Sequence, residues 1–141
     1  MNGVRKKTNK TILAVKNLNI QIGGKFDVVT DLSFSMKKGE TVCLVGESGC
    51  GKSISAFSVL GLLPKIASVT SGRILLNSID LLSLNERHLR KIRGKSISMI
   101  FQEPMSSLNP LKTIGLQISE ILVRHLDKTK MEAWQRAVEL L

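Results

Sequence analysis

The chain has 141 residues, 43% of them apolar and 23% charged, with only 11 glycines and 3 prolines, so a disordered or fibrous polymer is excluded. This length supports one domain, which at that size buries roughly 68–70% of its unfolded surface. The net charge of +10 attracts polyanions, but aromatics are 4% and tyrosine is absent, so the interleaved stacking residues of a nucleic-acid surface are missing and no nucleic acid is expected as a partner.

Residues 1–10 read as a flexible basic tail carrying Arg5, Lys6, Lys7 and Lys10. The apolar run that follows is closed by Lys16, too early for a secretory signal. No stretch reaches the roughly 18 apolar residues of a membrane span. Cys43 and Cys50 offer no disulfide framework and fit a reducing compartment. Cys43 falls in an apolar run and is expected in the core.

Residues 11–22 are rich in β-formers, and Gly23-Gly24 supplies a turn. Over residues 28–36, Leu32, Phe34 and Met36 alternate with Asp31, Ser33 and Ser35, the pattern of a half-buried strand. Residues 37–40 form a turn. The run TVCLV at 41–45 predicts a strand buried on both faces. Residues 52–63 are apolar nearly all round and predict a buried helix stopped by Pro64. Residues 72–82 read as strand and turn. Ser83 and Glu86 have the spacing of a capping box for a helix that turns Leu89 and Ile92 inward and ends at Gly94. Its basic residues Arg87, Arg90, Lys91, Arg93 and Lys95 read as a solvated face with cations near the helix C-terminus. Residues 96–101 predict another apolar strand, and 104–110 a loop.

Ile114, Ile118, Ile121 and Leu122 have helical spacing. Thr129 and Glu132 form a second capping box, ahead of a helix with Ala133, Trp134, Ala137, Val138 and Leu141 on one stripe. That apolar face meets no stop signal, so the natural protein is expected to continue beyond Leu141. His88 and His125 lack metal-ligand spacing and read as solvated helix residues.

The sharpest motif runs Gly46-Glu47-Ser48-Gly49-Cys50-Gly51-Lys52-Ser53 and matches G-x-x-x-x-G-K-[ST]. A phosphate chain must be wrapped by backbone N–H groups at close range. Gly49 and Gly51 allow the required backbone angles, and the helix that follows aims its positive N-terminus at the anion. Lys52 can reach the β and γ phosphates, and the Ser53 hydroxyl can ligate Mg²⁺. The strand before and the helix after the motif are the context this site requires.

This loop, followed by ISMIFQEPMSSLNP at residues 97–110, resembles the ATP-binding subunits of ABC transporters, in particular the dipeptide and oligopeptide importers, with nickel and glutathione importers as near relatives. The similarity extends from about Leu13 to the end. It implies an α/β P-loop NTPase core with an antiparallel β layer, covering about residues 11–104. The beginning of a helical subdomain follows at about residues 105–141, and the whole is truncated relative to the family. It implies ATP and Mg²⁺ as ligands. By position, Gly46, Glu47, Ser48, Gly49, Cys50, Gly51, Lys52 and Ser53 hold the nucleotide, Ser53 and Gln102 meet Mg²⁺, and Lys52 and Gln102 are the catalytic residues. A neutral amide at Gln102 can both donate and accept, so it can orient water without adding charge.

The resemblance further implies membrane-spanning permease subunits, a second ATP-binding subunit and, indirectly, an external substrate-binding protein. The place of work would be the cytoplasmic face of the cell membrane. Two features depart from the family pattern. Ile22 stands where an aromatic residue stacks on adenine, with Phe26 close by as a substitute or as plain core packing. The LSGGQ signature, the Walker B Asp with its catalytic Glu and the switch His are absent from these 141 residues, so ATP turnover by this stretch alone is not expected. A small P-loop NTPase of another class, a basic nucleic-acid-binding module and a non-functional gene product are the other readings open at this point.

Overall fold

The computed structural model describes residues 10–103 and 108–141. The chain divides between Leu89 and Arg90 into two compact units.

The first unit is built on a four-stranded antiparallel sheet. Strand β1 (Thr11–Ile22) pairs with β2 (Phe26–Lys37) on one side and β3 (Ala67–Leu76) on the other, and β4 (Ile79–Asp80) extends β3, giving the order β2-β1-β3-β4. The β1–β2 hairpin turns through Gly23 and Gly24, both left-handed, as expected. Asn77 and Ser78, also left-handed, make the two-residue β3–β4 turn, the geometry whose twist matches the strands. The core lies on one face of the sheet. Val15, Leu18, Ile20 and Ile74 are at most 2% exposed, joined by Leu13, Leu76 and Leu81.

The sheet is broken in register at its middle. Val15 pairs with Phe34 but Leu18 pairs with Leu32, so β1 carries one extra residue there. β2 carries its own between Leu32 and Val29, which pairs with Ile20. The extra residues are accommodated by left-handed backbone at Asn17 and Asp31. Their side chains bond to each other, with Asn17 Nδ2 donating to Asp31 Oδ1 at 2.6 Å. The Asn17 N–H donates to Ser33 Oγ at 2.8 Å, and Asn19 Oδ1 accepts from the Asp31 N–H at 2.9 Å. The predicted alternation of Leu32, Phe34 and Met36 inward holds. The bulge at Asp31 shifts its phase, so that Val29 is also buried. Gly72 in β3, at φ +103, faces this bulge. A Cβ there would stand 2.6 Å from both the Asn17 carbonyl oxygen and the Leu18 Cα, so only glycine lets the strands close.

Helix α1 (Lys52–Leu60) follows the glycine loop. It ends three residues before the expected boundary, because left-handed Gly61 stops it. Gly61 N–H donates to Ser58 O and Leu62 N–H to Phe57 O, closing a Schellman motif. The helix is also less buried than expected: Val59 and Leu60 are in the core, while Leu62 beyond the helix is exposed.

Further differences from the sequence expectations have one origin each. Residues 41–45 form no strand, and Val45 is 89% exposed. Residues 96–101 form only a single bridge, between Ile97 and Arg93, and Ile100 is 92% exposed. An apolar run becomes a strand only when a ladder partner satisfies its backbone groups along its length, and among the described residues 41–45 has none and 96–101 only the single bridge. Cys43, expected in the core, is exposed for the same reason. β3 begins at Ala67, before the expected Gly72, because residues 67–71 pair with β1 from Ile22 to Asn19.

Helix α2 (Glu86–Ile92) is capped by Asn85, whose Oδ1 accepts from the His88 N–H at 3.1 Å and lies 2.8 Å from His88 Nδ1. The expected Ser83 cap does not form, because a 3-10 turn (Leu81–Ser83) commits the Ser83 hydroxyl to the Asp80 carbonyl. Leu89 and Ile92 are half-buried and left-handed Gly94 follows, as expected.

The second unit centres on a packed pair of helices, α3 (Ile114–Leu126) and α4 (Lys130–Leu140). Thr113 caps α3, and Ala133 and Ala137 of α4 are fully buried. Gly115 lets the helices approach: a Cβ there would lie 2.7 Å from Trp134 Cζ3. Trp134, Val138 and Leu141, expected on the same stripe as the two alanines, are at least half exposed.

The capping box forms as expected. Thr129 Oγ1 accepts from the Glu132 N–H, and Glu132 Oε2 accepts from the Thr129 N–H at 2.9 Å. The backbone N–H of Thr129, then its hydroxyl, then Lys128 hold the Glu132 carboxyl below the ordinary carboxylate range. A carboxyl depressed in the folded state stabilises above its unfolded pKa and loses that contribution as pH falls through the folded one. Helicity of the α4 segment, read by backbone NMR shifts, is therefore expected to fall on acidification below about pH 4.5. Thr129→Ala is expected to cost about 1 kcal/mol and to flatten that pH response.

Candidate functional site

The residues of the glycine motif come together as one loop between the exposed 41–45 segment and α1. Gly46, Glu47, Ser48, Gly49 and Cys50 are exposed, Gly51 and Lys52 half-buried, and the Ser53 side chain faces solvent. Gly49 and Gly51 take left-handed backbone, at φ +83 and +88. Gly51 is the N-cap of α1, with no side chain capping the helix and no acidic residue in its first turn. The first-turn N–H groups therefore keep their donor capacity for an incoming anion, and the helix dipole adds about half a positive charge at the same point.

Gly51 sits hard against β2. A Cβ there would lie 2.5 Å from the Val28 carbonyl oxygen and 2.9 Å from Val29 Cγ2. The sheet thus sets the height of the loop, through two residues that no local motif marks. The Ser55 hydroxyl and N–H both bond to the Gly51 carbonyl at 2.9 Å, pinning the loop to the second turn of α1.

Lys52 arches over the loop. Its ammonium donates to the Gly46 carbonyl at 2.7 Å and to the Glu47 carbonyl, and lies 3.4 Å from Cys50 Sγ. These carbonyl partners are neutral and at the surface. A phosphate oxygen, being charged, competes with them on favourable terms. The Cys50 side chain is tucked under Gly46, where a Cβ would meet its sulfur at 2.5 Å. The spacing of the motif does not announce that packing role.

Phe26 opens β2 opposite Ile22 at the β1–β2 hairpin and is 70% exposed, so the core-packing alternative does not hold for it. Gln102 lies in the second unit, at an exposed bend. Of the residues following it in the motif, 104–107 lie outside the described residues. Among the described residues, no three His, Cys, Asp or Glu side chains cluster as a metal site, and no helix is long and apolar enough to cross a membrane.

A glycine-built loop with two left-handed residues, a lysine at its closing end and an uncapped helix N-terminus has the geometry of the P-loop class, with free backbone donors and positive charge facing one point. The ABC transporter family matches residues 29–141, and the chain belongs to it. Dipeptide transport ATP-binding protein DppD of Bacillus subtilis is 46% identical over 134 residues, covering 92% of this chain and 40% of the relative. Peptidoglycan transport ATP-binding protein YejF of Agrobacterium fabrum is 52% identical over 141 residues, covering 96% of this chain and 26% of the relative. The ATP-binding cassette MJ0796, in a dimeric post-hydrolysis state bound to ADP and Pi, matches with a TM-score of 0.75 at 26% identity, over 90% of this chain and 54% of that one. The chain thus spans about a quarter to about half the length of these relatives. It is an ABC ATP-binding domain in part, homologous to the ATP-binding subunits of peptide transporters.

Proposed function

We propose that this chain supplies the phosphate-binding part of an importer ATPase that couples ATP hydrolysis to uptake of peptides. The observation that carries the reading is the cradle itself: an uncapped α1 N-terminus, Gly51 seated on β2, and the Lys52 ammonium held over the loop. Backbone N–H groups of residues 46–53 wrap the phosphates, and Lys52 meets the β and γ oxygens. The ligand is ATP with Mg²⁺, which is typically held by one or two protein oxygens and completed by substrate phosphates. Ser53 and, by the family resemblance, Gln102 are the residues that would provide those oxygens. When bound, the metal neutralises charge developing on the phosphates. Gln102 orients water through its amide, and Phe26 offers its exposed ring to the adenine.

In the working transporter this portion pairs with a second ATP-binding subunit and docks on membrane-spanning permeases at the cytoplasmic face, served by an external substrate-binding protein. The domain organisation we propose is a β layer and P-loop core over about residues 11–104 and a helical subdomain starting at about 105. Identity to dipeptide and oligopeptide transport proteins supports peptide as the substrate class.

The test is equilibrium binding of nucleotides to the chain in the presence of Mg²⁺. ATP and ADP are expected to bind, and AMP, which lacks the β phosphate, to bind far more weakly. Equal affinity for all three would remove the phosphate cradle as the determinant. Phe26→Ala is expected to weaken ATP binding about fivefold to tenfold through lost stacking. Affinity for inorganic triphosphate, which has no base to stack, is expected to stay unchanged, and a parallel titration checks this.

A further inference from the structure

Within the second unit, a cleft of about 370 Å³ is lined by Arg90, Lys91, Lys95, Arg124, His125 and Asp127. It lies where the end of α2 and the turn after it meet the end of α3. His125 forms part of its wall. A Cβ at Gly94 would stand 3.0 Å from His125 Nε2, so the absence of a side chain at Gly94 is what lets the ring sit there.

Cations near helix C-termini are ordinary, because each terminus carries about half a negative charge. Here the supply exceeds that demand. Two helix ends and the single lining carboxylate of Asp127 amount to about two negative charges. Leaving aside Arg90, which is engaged in an interaction of its own, Lys91, Lys95 and Arg124 bring three permanent positive charges to the cleft, a surplus of about +1 that favours an anionic phosphate group. The Lys91 and Lys95 ammonium groups have no ion-pair or hydrogen-bond partner among the described residues. Two ammonium groups and a guanidinium converging on one concavity is the donor set that phosphate oxygens accept.

We propose that this cleft is a second anion site, distinct from the Gly46–Ser53 loop, that binds a phosphate group. The group comes either from a free phosphorylated solute or from an anionic lipid headgroup. Neither the cleft nor its charge depends on the reading of the nucleotide loop.

The experiment uses the Lys52→Ala chain, so that the nucleotide loop contributes little. Inorganic phosphate is titrated against chloride at matched ionic strength, and backbone amide NMR shifts are followed. Phosphate is expected to move the resonances of Lys91, Lys95 and Arg124. Adding Lys91→Ala and Lys95→Ala is expected to weaken the response about tenfold or more. Arg124→Gln, at an exposed position, gives an independent variant should the double substitution disturb folding, and is expected to weaken it as well. A second arm measures co-sedimentation with vesicles of 30% phosphatidylglycerol in phosphatidylcholine. Binding of inorganic phosphate without the vesicles identifies a free solute, and binding of vesicles that the lysine variants abolish identifies a lipid headgroup. Shifts no larger than those caused by chloride, with vesicle binding absent or indifferent to these variants, would overturn the proposal.

Discussion

Lys52→Ala is expected to lower the affinity of the chain for MgATP by about 30- to 1,000-fold while leaving its thermal stability within about 1 kcal/mol of the parent. The asymmetry follows from what the ammonium touches. In the structure it donates to the Gly46 and Glu47 carbonyls, neutral groups at the surface that water can serve as well. With nucleotide bound it would face two phosphate oxygens instead. Losing one or two charge-assisted hydrogen bonds there costs about 2–4 kcal/mol, which is the stated range in affinity. Titration with a fluorescent ATP analogue, paired with a thermal melt of the same sample, separates the two effects. An unchanged dissociation constant would mean that phosphate is recognised elsewhere. The complementary result, lost folding with Lys52→Ala, would mean that the loop carbonyls need the ammonium even without ligand.

Gly51→Ala is expected to damage both binding and stability. The residue sits at φ +88, where an L side chain costs about 1–2 kcal/mol, and its Cβ would be driven into the Val28 carbonyl and the Val29 side chain. The obstacle is strand backbone, paired with β1 on its other edge, and cannot swing away as a flexible side chain would. Overpacking of this kind adds about 1–3 kcal/mol, a large share of the about 5–15 kcal/mol that holds a domain together. Gly24→Ala is the matched control. It has a similar left-handed backbone, at φ +66, but nothing within 4 Å of its Cβ position. Urea denaturation is expected to rank Gly51→Ala well below Gly24→Ala, and the gap measures the clash alone. Equal losses at both positions would show that the loop lifts off the sheet, and that β2 does not set its height.

Much of the candidate site was legible in advance because its determinants are local. The loop from Gly46 to Ser53 needs glycines where the backbone turns left-handed and a lysine at a fixed spacing, and eight adjacent residues contain all of that. The Thr129–Glu132 capping box, the Gly23-Gly24 turn and the α3 helix are local in the same sense: each is settled by partners within about four residues.

What the residue pattern determined by itself, then, was the glycine-lysine loop, the family similarity and the elements whose hydrogen bonds close nearby. Tertiary structure decided the rest. Among the described residues it left 41–45 without strand structure and 96–101 with a single bridge, because strand formation depends on a partner that a run of apolar residues does not contain. It moved the α2 cap from Ser83 to Asn85, because the 3-10 turn claimed the serine hydroxyl first. It turned Phe26 outward at the start of β2 and placed Val28 and Val29 under Gly51. It also opposed Gly72 to the Asn17 bulge, 55 positions away along the chain. A short-range hydrogen bond can be read from neighbouring letters. A steric contact between distant strands exists only once the sheet has set their register.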